Sequence, residues 1–293
     1  MMDVAYIDEL KKAWKGVGEN KQVFVPYVYL LLVLVIGGVL VGLEALLIYF
    51  GDLSWMWRIV LIIFFVLVDL VVVLGGFFYV NAMQFKLYRE IVRDGRTQKG
   101  SIFSKGKEFF WRLVRLKVLT LLLFIVFAIV LFLIAALFFA IHMVVGIVMA
   151  VLLGIVGLVG FLFLVFGLLF SDPIITTEVS AVEAIRKSMR FFWNNPLVTL
   201  LTILVGFVVS LVLYTLYTIL LLMSMVFLLI PFLGVVLQGL VHGVYIVSSI
   251  IAGVVVVVFV FRVYFLVSGD LKSVRSTRKG SPGKKIIKKI KKK

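Results

Sequence analysis

The sequence predicts an all-α, polytopic membrane protein with six transmembrane helices. They form three units of one surface helix plus a two-span hairpin, with the N- and C-termini cytoplasmic. Three observations lead there. Hydrophobic residues make up 64% of the 293-residue chain and the mean hydropathy is +1.24, well above a soluble domain. The apolar residues lie in continuous runs, as lipid-spanning helices require, and not in the short alternating segments of a β-barrel. The net charge of +16 is segregated into segments between those runs.

The first surface helix is expected over about 3–19. Ile7, Leu10, Trp14 and Val17 follow one another at helical spacing, with Lys11, Lys12 and Lys15 off that stripe. This is the pattern of a helix lying in the interface, with Trp at headgroup level. The acidic start, Asp3, Asp8 and Glu9, is unlike the basic start of a cleaved signal, so none is expected. Two spans follow, at about 23–49 and 55–80, joined by a turn at Gly51, Asp52 and Ser54.

The longest polar connection runs from Asn81 to Lys117, with a turn at Asp94-Gly95. Its second half, 101–117, reads as the second surface helix. A tight hairpin of spans comes next, at about 118–141 and 144–170, with His142 at its turn. Pro173 is expected to end the fourth span.

The stretch Asp172 to Pro196 is the pattern on which the unit repeat rests. Ser180-Ala-Val-Glu183 is a capping box that opens a third surface helix over about 179–195. Val182, Ile185, Met189 and Phe192 repeat the first stripe, each 175 positions later, and Arg186, Lys187 and Arg190 repeat its lysines. Phe109-Phe110-Trp111 and Phe191-Phe192-Trp193 share a motif at an offset of 82. The simplest account is three copies of one unit. A fifth span covers 196–230, more than the ~20 residues a bilayer needs, so it must tilt or bend. The sixth covers about 235–267. Residues 1–271 are thus one membrane domain, and 272–293 a basic tail.

Charge sets the orientation. The segments read as inside hold 4, 10, 3 and 12 Lys plus Arg, whereas the outside turns hold Arg58 alone. The positive-inside rule puts the surface helices on the cytoplasmic face.

The residues Pro173-Ile-Ile175, Glu178, Ser180, Glu183-Ala184, Ser188 and Asn194-Asn195 carry a resemblance. They resemble a group of uncharacterised six-span membrane proteins, similar to the membrane region fused to some glycerophosphodiester phosphodiesterases. There a span ends in Pro, followed by an acidic residue and an Ala-x-x-x-Ser helix, here Ala184 to Ser188. The catalytic domain of those enzymes has no counterpart in this chain, so no enzymatic activity carries over, and the resemblance implies six spans and a poorly defined membrane role.

Several residues are candidates for a site. Asp69 lies in the second span, where a carboxylate costs roughly 2.5–3.5 kcal/mol on insertion scales and usually faces other helices. The sharp reading is a proton or cation site, and the plain one a hydrogen bond that joins two helices. Gln238, His242, Tyr245 and Ser249 share one face of the sixth span, and His242 matches Asp69 in depth. Ser210, Tyr214 and Tyr217 form a similar stripe on the fifth. Gly38-Gly42, Gly239-Gly243 and Gly154-Gly157-Gly160 are helix-contact patterns. Glu44 and Arg262, near span ends, are expected to snorkel. Lys284, Lys285, Lys288, Lys289, Lys291, Lys292 and Lys293 of the tail suit anionic lipid headgroups. Nucleic acid is not expected, because no aromatic residues interleave these lysines.

The chain has no cysteine, which removes thiolate catalysis and Cys-based metal sites. It carries no HExxH, GxSxG, P-loop or GxGxxG motif. The expectation is therefore a multi-pass protein of the cell membrane, a non-enzymatic structural or accessory component without cofactor or metal. The alternative is a transporter or channel that uses the polar residues of spans two, five and six.

Overall fold

A computed structural model describes residues 5–50, 54–97, 102–226 and 231–269, and these are helical throughout apart from short turns. The elements are α1 (Tyr6–Glu19), a 3₁₀ turn (Lys21–Phe24), α2 (Val25–Phe50), α3 (Trp55–Asp94), α4 (Ile102–Ile141), α5 (Met143–Leu168), α6 (Ser171–Ile175), α7 (Ala181–Asn194), α8 (Pro196–Val226) and α9 (Pro231–Val267). Six segments are long and apolar enough to cross a membrane: 21–49, 55–94, 102–141, 143–175, 196–225 and 234–267. The basic tail lies outside the described residues, as does the turn at 51–53.

Two of the expected boundaries fall elsewhere. Helix α3 does not stop where the sequence turns polar near Asn81; it runs to Asp94. Its 40 residues span ~60 Å, about twice the hydrocarbon thickness. Neither Pro nor Gly interrupts 77–94, so nothing breaks the hydrogen-bond ladder until Gly95 takes φ +74°. Residues 102–117, expected as a separate surface helix, are the opening turns of α4, which continues unbroken to Ile141. Helices α1 and α7 are separate, as expected. Of the three expected surface helices, the first and third are separate helices, while the second is continuous with the long apolar helix that follows it.

Pro173 acts one turn earlier than expected. Its ring would clash with the carbonyl of Leu169, so α5 stops at Leu168 and Pro173 sits in the first turn of α6. The freed carbonyls here are met by hydroxyls: Ser171 Oγ donates to Leu168 O at 2.7 Å and Thr176 Oγ1 to Pro173 O at 2.6 Å.

The chain forms two compact units. One holds residues 1–20, 88–96 and 197–293, the other 21–87 and 97–196. In the first, the core lies where α1, the end of α3 and the last turns of α9 meet, with Ala13, Val17, Tyr88, Ile91, Phe259 and Phe261 buried. In the second it lies among Met83, Phe109, Leu113, Leu116, Ile174 and Ala184. The middles of the spans stay open: Val66 of α3, Leu133 of α4 and Val151 of α5 are all about 60% exposed. Each unit is thus packed where its helices carry charge, and bare where they are purely apolar. That distribution suits lipid as the solvent of the bare stretches, because lipid tails leave no hydrophobic penalty to relieve.

Within the second unit α4 and α5 form the expected hairpin. A Cβ on Gly157 would lie 2.9 Å from Leu131, and one on Gly160 2.5 Å from Phe127, so these two glycines are the close seam. Gly154 meets nothing within 4 Å. His142 caps α5, its Nδ1 accepting from the Val144 amide at 3.2 Å. Gly38, Gly42, Gly239 and Gly243 have no neighbour within 4 Å among the described residues, contrary to the contact surfaces expected of them. Gly37, facing Val73, and Gly76, facing Val33, are where α2 and α3 approach instead.

Candidate functional site

The polar chemistry of the spans falls into two clusters, one in each unit. In the second unit Asp69 is half-buried on α3. Its Oδ1 is enclosed and has no hydrogen-bond partner among the described residues. The group beside it is a second carboxyl, that of Glu44 on α2, close enough to interact electrostatically. By sequence position Glu44 is a span-end residue that can snorkel. Its spacing from the polar turn hid the fact that the hairpin brings it back against Asp69.

In the first unit the polar stripes of α8 and α9 do meet. Tyr217 Oη lies 3.1 Å from His242 Nε2, and the Tyr217 and Tyr245 rings stand 4.0 Å apart. His242 Nδ1 is 2.7 Å from the Gln238 carbonyl, one helical turn back. A carbonyl only accepts, so Nδ1 carries a proton; in the neutral ring Nε2 then accepts from the tyrosine hydroxyl. Gln238, Tyr245 and Ser249 are half-buried, while His242 itself is exposed. Ser210 turns inward on its own helix, donating to Gly206 O at 3.0 Å. Asp69 and His242, matched by depth in the sequence, belong to different units, and each has a neighbour within its own.

The best-satisfied polar groups lie outside the bare apolar stretches. Glu9 of α1 is buried, and its Oε2 accepts from Arg262 Nε at 2.9 Å and Nη2 at 2.8 Å. Lys12 holds Oε1. Burial pushes the Glu9 carboxyl up, but Lys12 and Arg262 together more than reverse this and hold it below the ordinary value. Tyr6, next to Phe259 on the same face, is pushed up by burial. Arg262 is therefore not a snorkelling side chain; it is the counter-ion that lets α1 lie against α9.

In the second unit Lys117 of α4 binds both carboxylate oxygens of Asp172, at 2.7 and 3.0 Å, and lies over the Phe85 ring. Ser188 of α7 donates to Gly167 O at 2.6 Å. The capping box forms by half: Ser180 Oγ accepts from the Glu183 amide at 3.2 Å, while the Glu183 carboxylate turns to Lys187 at 2.8 Å. The sequence carried the cap and the spacing of Ala184 and Ser188. No local signal marks Glu9 with Arg262, 253 positions apart, or Lys117 with Asp172, 55 apart.

Comparison of the chain with protein-family models, with curated proteins and with solved structures finds no match to any of the three.

Proposed function

We propose that the protein is a structural or accessory component of the cell membrane whose working surface is its pair of amphipathic helices. The observation that carries this reading is the way α1 and α7 are mounted. Their small and polar residues (Glu9 and Ala13; Ala184 and Ser188) are buried against the spans. Ile7, Trp14, Val182 and Trp193 are left 57–71% exposed. A helix fixed by one face and apolar on another suits immersion at headgroup depth. In this reading the basic helix ends and both termini are cytoplasmic, following the positive-inside rule. The resemblance to the membrane region of glycerophosphodiester phosphodiesterases is in keeping with this reading.

A second reading, transport of protons or cations, is favoured by one observation. Glu44 and Asp69 put two carboxyls side by side in spans that are otherwise apolar. Like charges that close would repel if both were ionised, so a bound cation or proton would relieve the pair.

The test is the purified chain in liposomes, with Asp69→Asn beside it. Proton and cation flux and the melting temperature are followed together. The structural reading expects no flux from the parent and only a stability change in the variant. Flux in the parent that disappears in Asp69→Asn at an unchanged melting temperature overturns it in favour of transport.

A further inference from the structure

A cavity of about 750 Å³ opens in the second unit between the first half of α4 and the start of α7. Its lining includes Arg112 and Arg115 of α4, one turn apart and so on one face of the helix. Arg112 Nη1 is enclosed, yet it has no hydrogen-bond partner among the described residues. That nitrogen is shut off from water, so the part of Arg112 that faces the cavity is the rest of its side chain, beside the exposed Arg115. Opposite the arginines lie Ala181 and Val182, first residues of the 14-residue α7. First-turn amides have no acceptor within their helix, and the helix dipole adds positive potential there. Glu178 also lines the space. Two arginines against one carboxylate leave +1, to which the helix end adds.

The apolar part of the lining decides what kind of anion fits. Trp111 and Val118 line the same cavity and are exposed, and Val118 is where α4 turns wholly apolar. A site with guanidinium groups at one end and aliphatic surface running into a span at the other matches a molecule with a charged head and an oily body. The volume is far more than one phosphate needs, and leaves room for a glycerol and the start of its chains. Arginine suits the head, because its planar fork pairs with phosphate oxygens two at a time.

We propose that this cavity binds the phosphate headgroup of an anionic phospholipid, with Arg112 and Arg115 as its ligands. The inference rests on the reading of α7 as a helix at the membrane surface. It gives that helix a specific lipid in addition to a general affinity for the interface, and it is separate from the lysine tail.

The experiment uses the full chain in neutral detergent, titrated with phosphatidylglycerol, phosphatidylcholine or inorganic phosphate. Binding is read by native mass spectrometry and by the fluorescence of Trp111, taken as the difference from Trp111→Phe. The expected result is saturable binding of phosphatidylglycerol, weakened at least tenfold in Arg112→Gln/Arg115→Gln. Arg112→Lys should be weakened less, and a variant with glutamine at the seven tail lysines should be unchanged. Melting curves without lipid establish that the variants fold. Parent-like binding in the double glutamine variant overturns the site. Equal affinity for phosphatidylcholine overturns the headgroup claim. Binding of inorganic phosphate as tight as that of the lipid, lost in the same variant, overturns the lipid source in favour of a free anion. Quenching of Trp193, exposed on α7, by brominated lipid in liposomes reports separately whether α7 lies at the membrane surface, so failure of the site is distinguishable from failure of that reading.

Discussion

Helix α1 presses Glu9, Ala13 and Val17 against its unit, and helix α7 presses Ala181, Ala184 and Ser188 against its own. Both are 14 residues long, both turn a Trp outward, and their apolar stripes are 175 positions apart. What holds them differs. In α1 the central contact is a buried carboxylate shared by Arg262 and Lys12. In α7 it is a close seam: Gly167 leaves the space that Met189 fills, and Ser188 gives its proton to the Gly167 carbonyl. A buried ion pair is worth little net against an apolar substitute, but removal of one partner leaves a charge with no solvent. A seam of small residues and neutral hydrogen bonds loses its energy in small steps. Two helices of one pattern should therefore fail in different ways.

The largest effect is expected at Glu9. Glu9→Gln leaves the Arg262 guanidinium, 14% exposed, without its counter-charge. The cost should be about 3 kcal/mol, the low end for a broken buried pair, since Arg262 keeps some access to solvent. Thermal unfolding followed by tryptophan fluorescence in detergent measures it. The double variant Glu9→Gln/Arg262→Met should recover most of the loss. If single and double variants melt alike, the pair is not what holds α1. The pH dependence follows from the sign of the shift. Glu9 is held below its ordinary value, so its stabilisation is full above the unfolded carboxylate pKa and is lost as pH falls through the lower folded one. Glu9→Gln should flatten the melting temperature in that acid range, whereas substitutions in α7 should leave it intact.

Effects at the α7 seam should be smaller by a factor of two or three. Gly167→Ala drives a methyl group into the Met189 thioether, which can swing aside. The expected loss is about 1 kcal/mol, the low end for overpacking. Ser188→Ala removes one neutral hydrogen bond and should also cost about 1 kcal/mol. A loss at Ser188 as large as that at Glu9 would erase the distinction between the two mountings.

These contrasts also explain what was legible in the sequence. Hydropathy located all six helices that are long and apolar enough to cross a membrane, because apolar length is a local property. The Ser180 cap and the Asp94-Gly95 turn were legible for the same reason: each is a contact between residues a few positions apart. The polar stretches after Val80 and before Val118 misled, since a change of polarity is not a change of backbone conformation. Residues 81–94 and 102–117 keep helical periodicity and carry no proline. The stripes of α1 and α7 were found, but the face that meets protein was not. Ile7, Trp14, Val182 and Trp193 stay exposed in these helices, and the buried side is built from Ala, Ser, Val17 and one paired Glu. Arg262 and Glu44 were misjudged because near-terminal position says nothing about which residue another helix brings alongside.

The smallest predicted effect lies at the entrance to α7 and has no counterpart in α1. Glu178 is the only described non-glycine residue with positive φ, at 71°. The left-handed region costs an L-residue roughly 1–2 kcal/mol, because Cβ crowds the following carbonyl oxygen. Glycine escapes that cost but gives up roughly 0.5–1 kcal/mol of chain entropy on folding. Glu178→Gly should therefore gain a few tenths to about 1 kcal/mol, less whatever the glutamate side chain contributes. Glu178→Val also discards that side chain, but cannot relieve the strain and adds a branch at Cβ. The pair of variants separates backbone from side chain: Val should melt lower than Gly by at least ~1 kcal/mol if the left-handed turn sets α7 against its unit. Equal melting temperatures would mean that the turn relaxes freely, and that α7 is held by its seam alone.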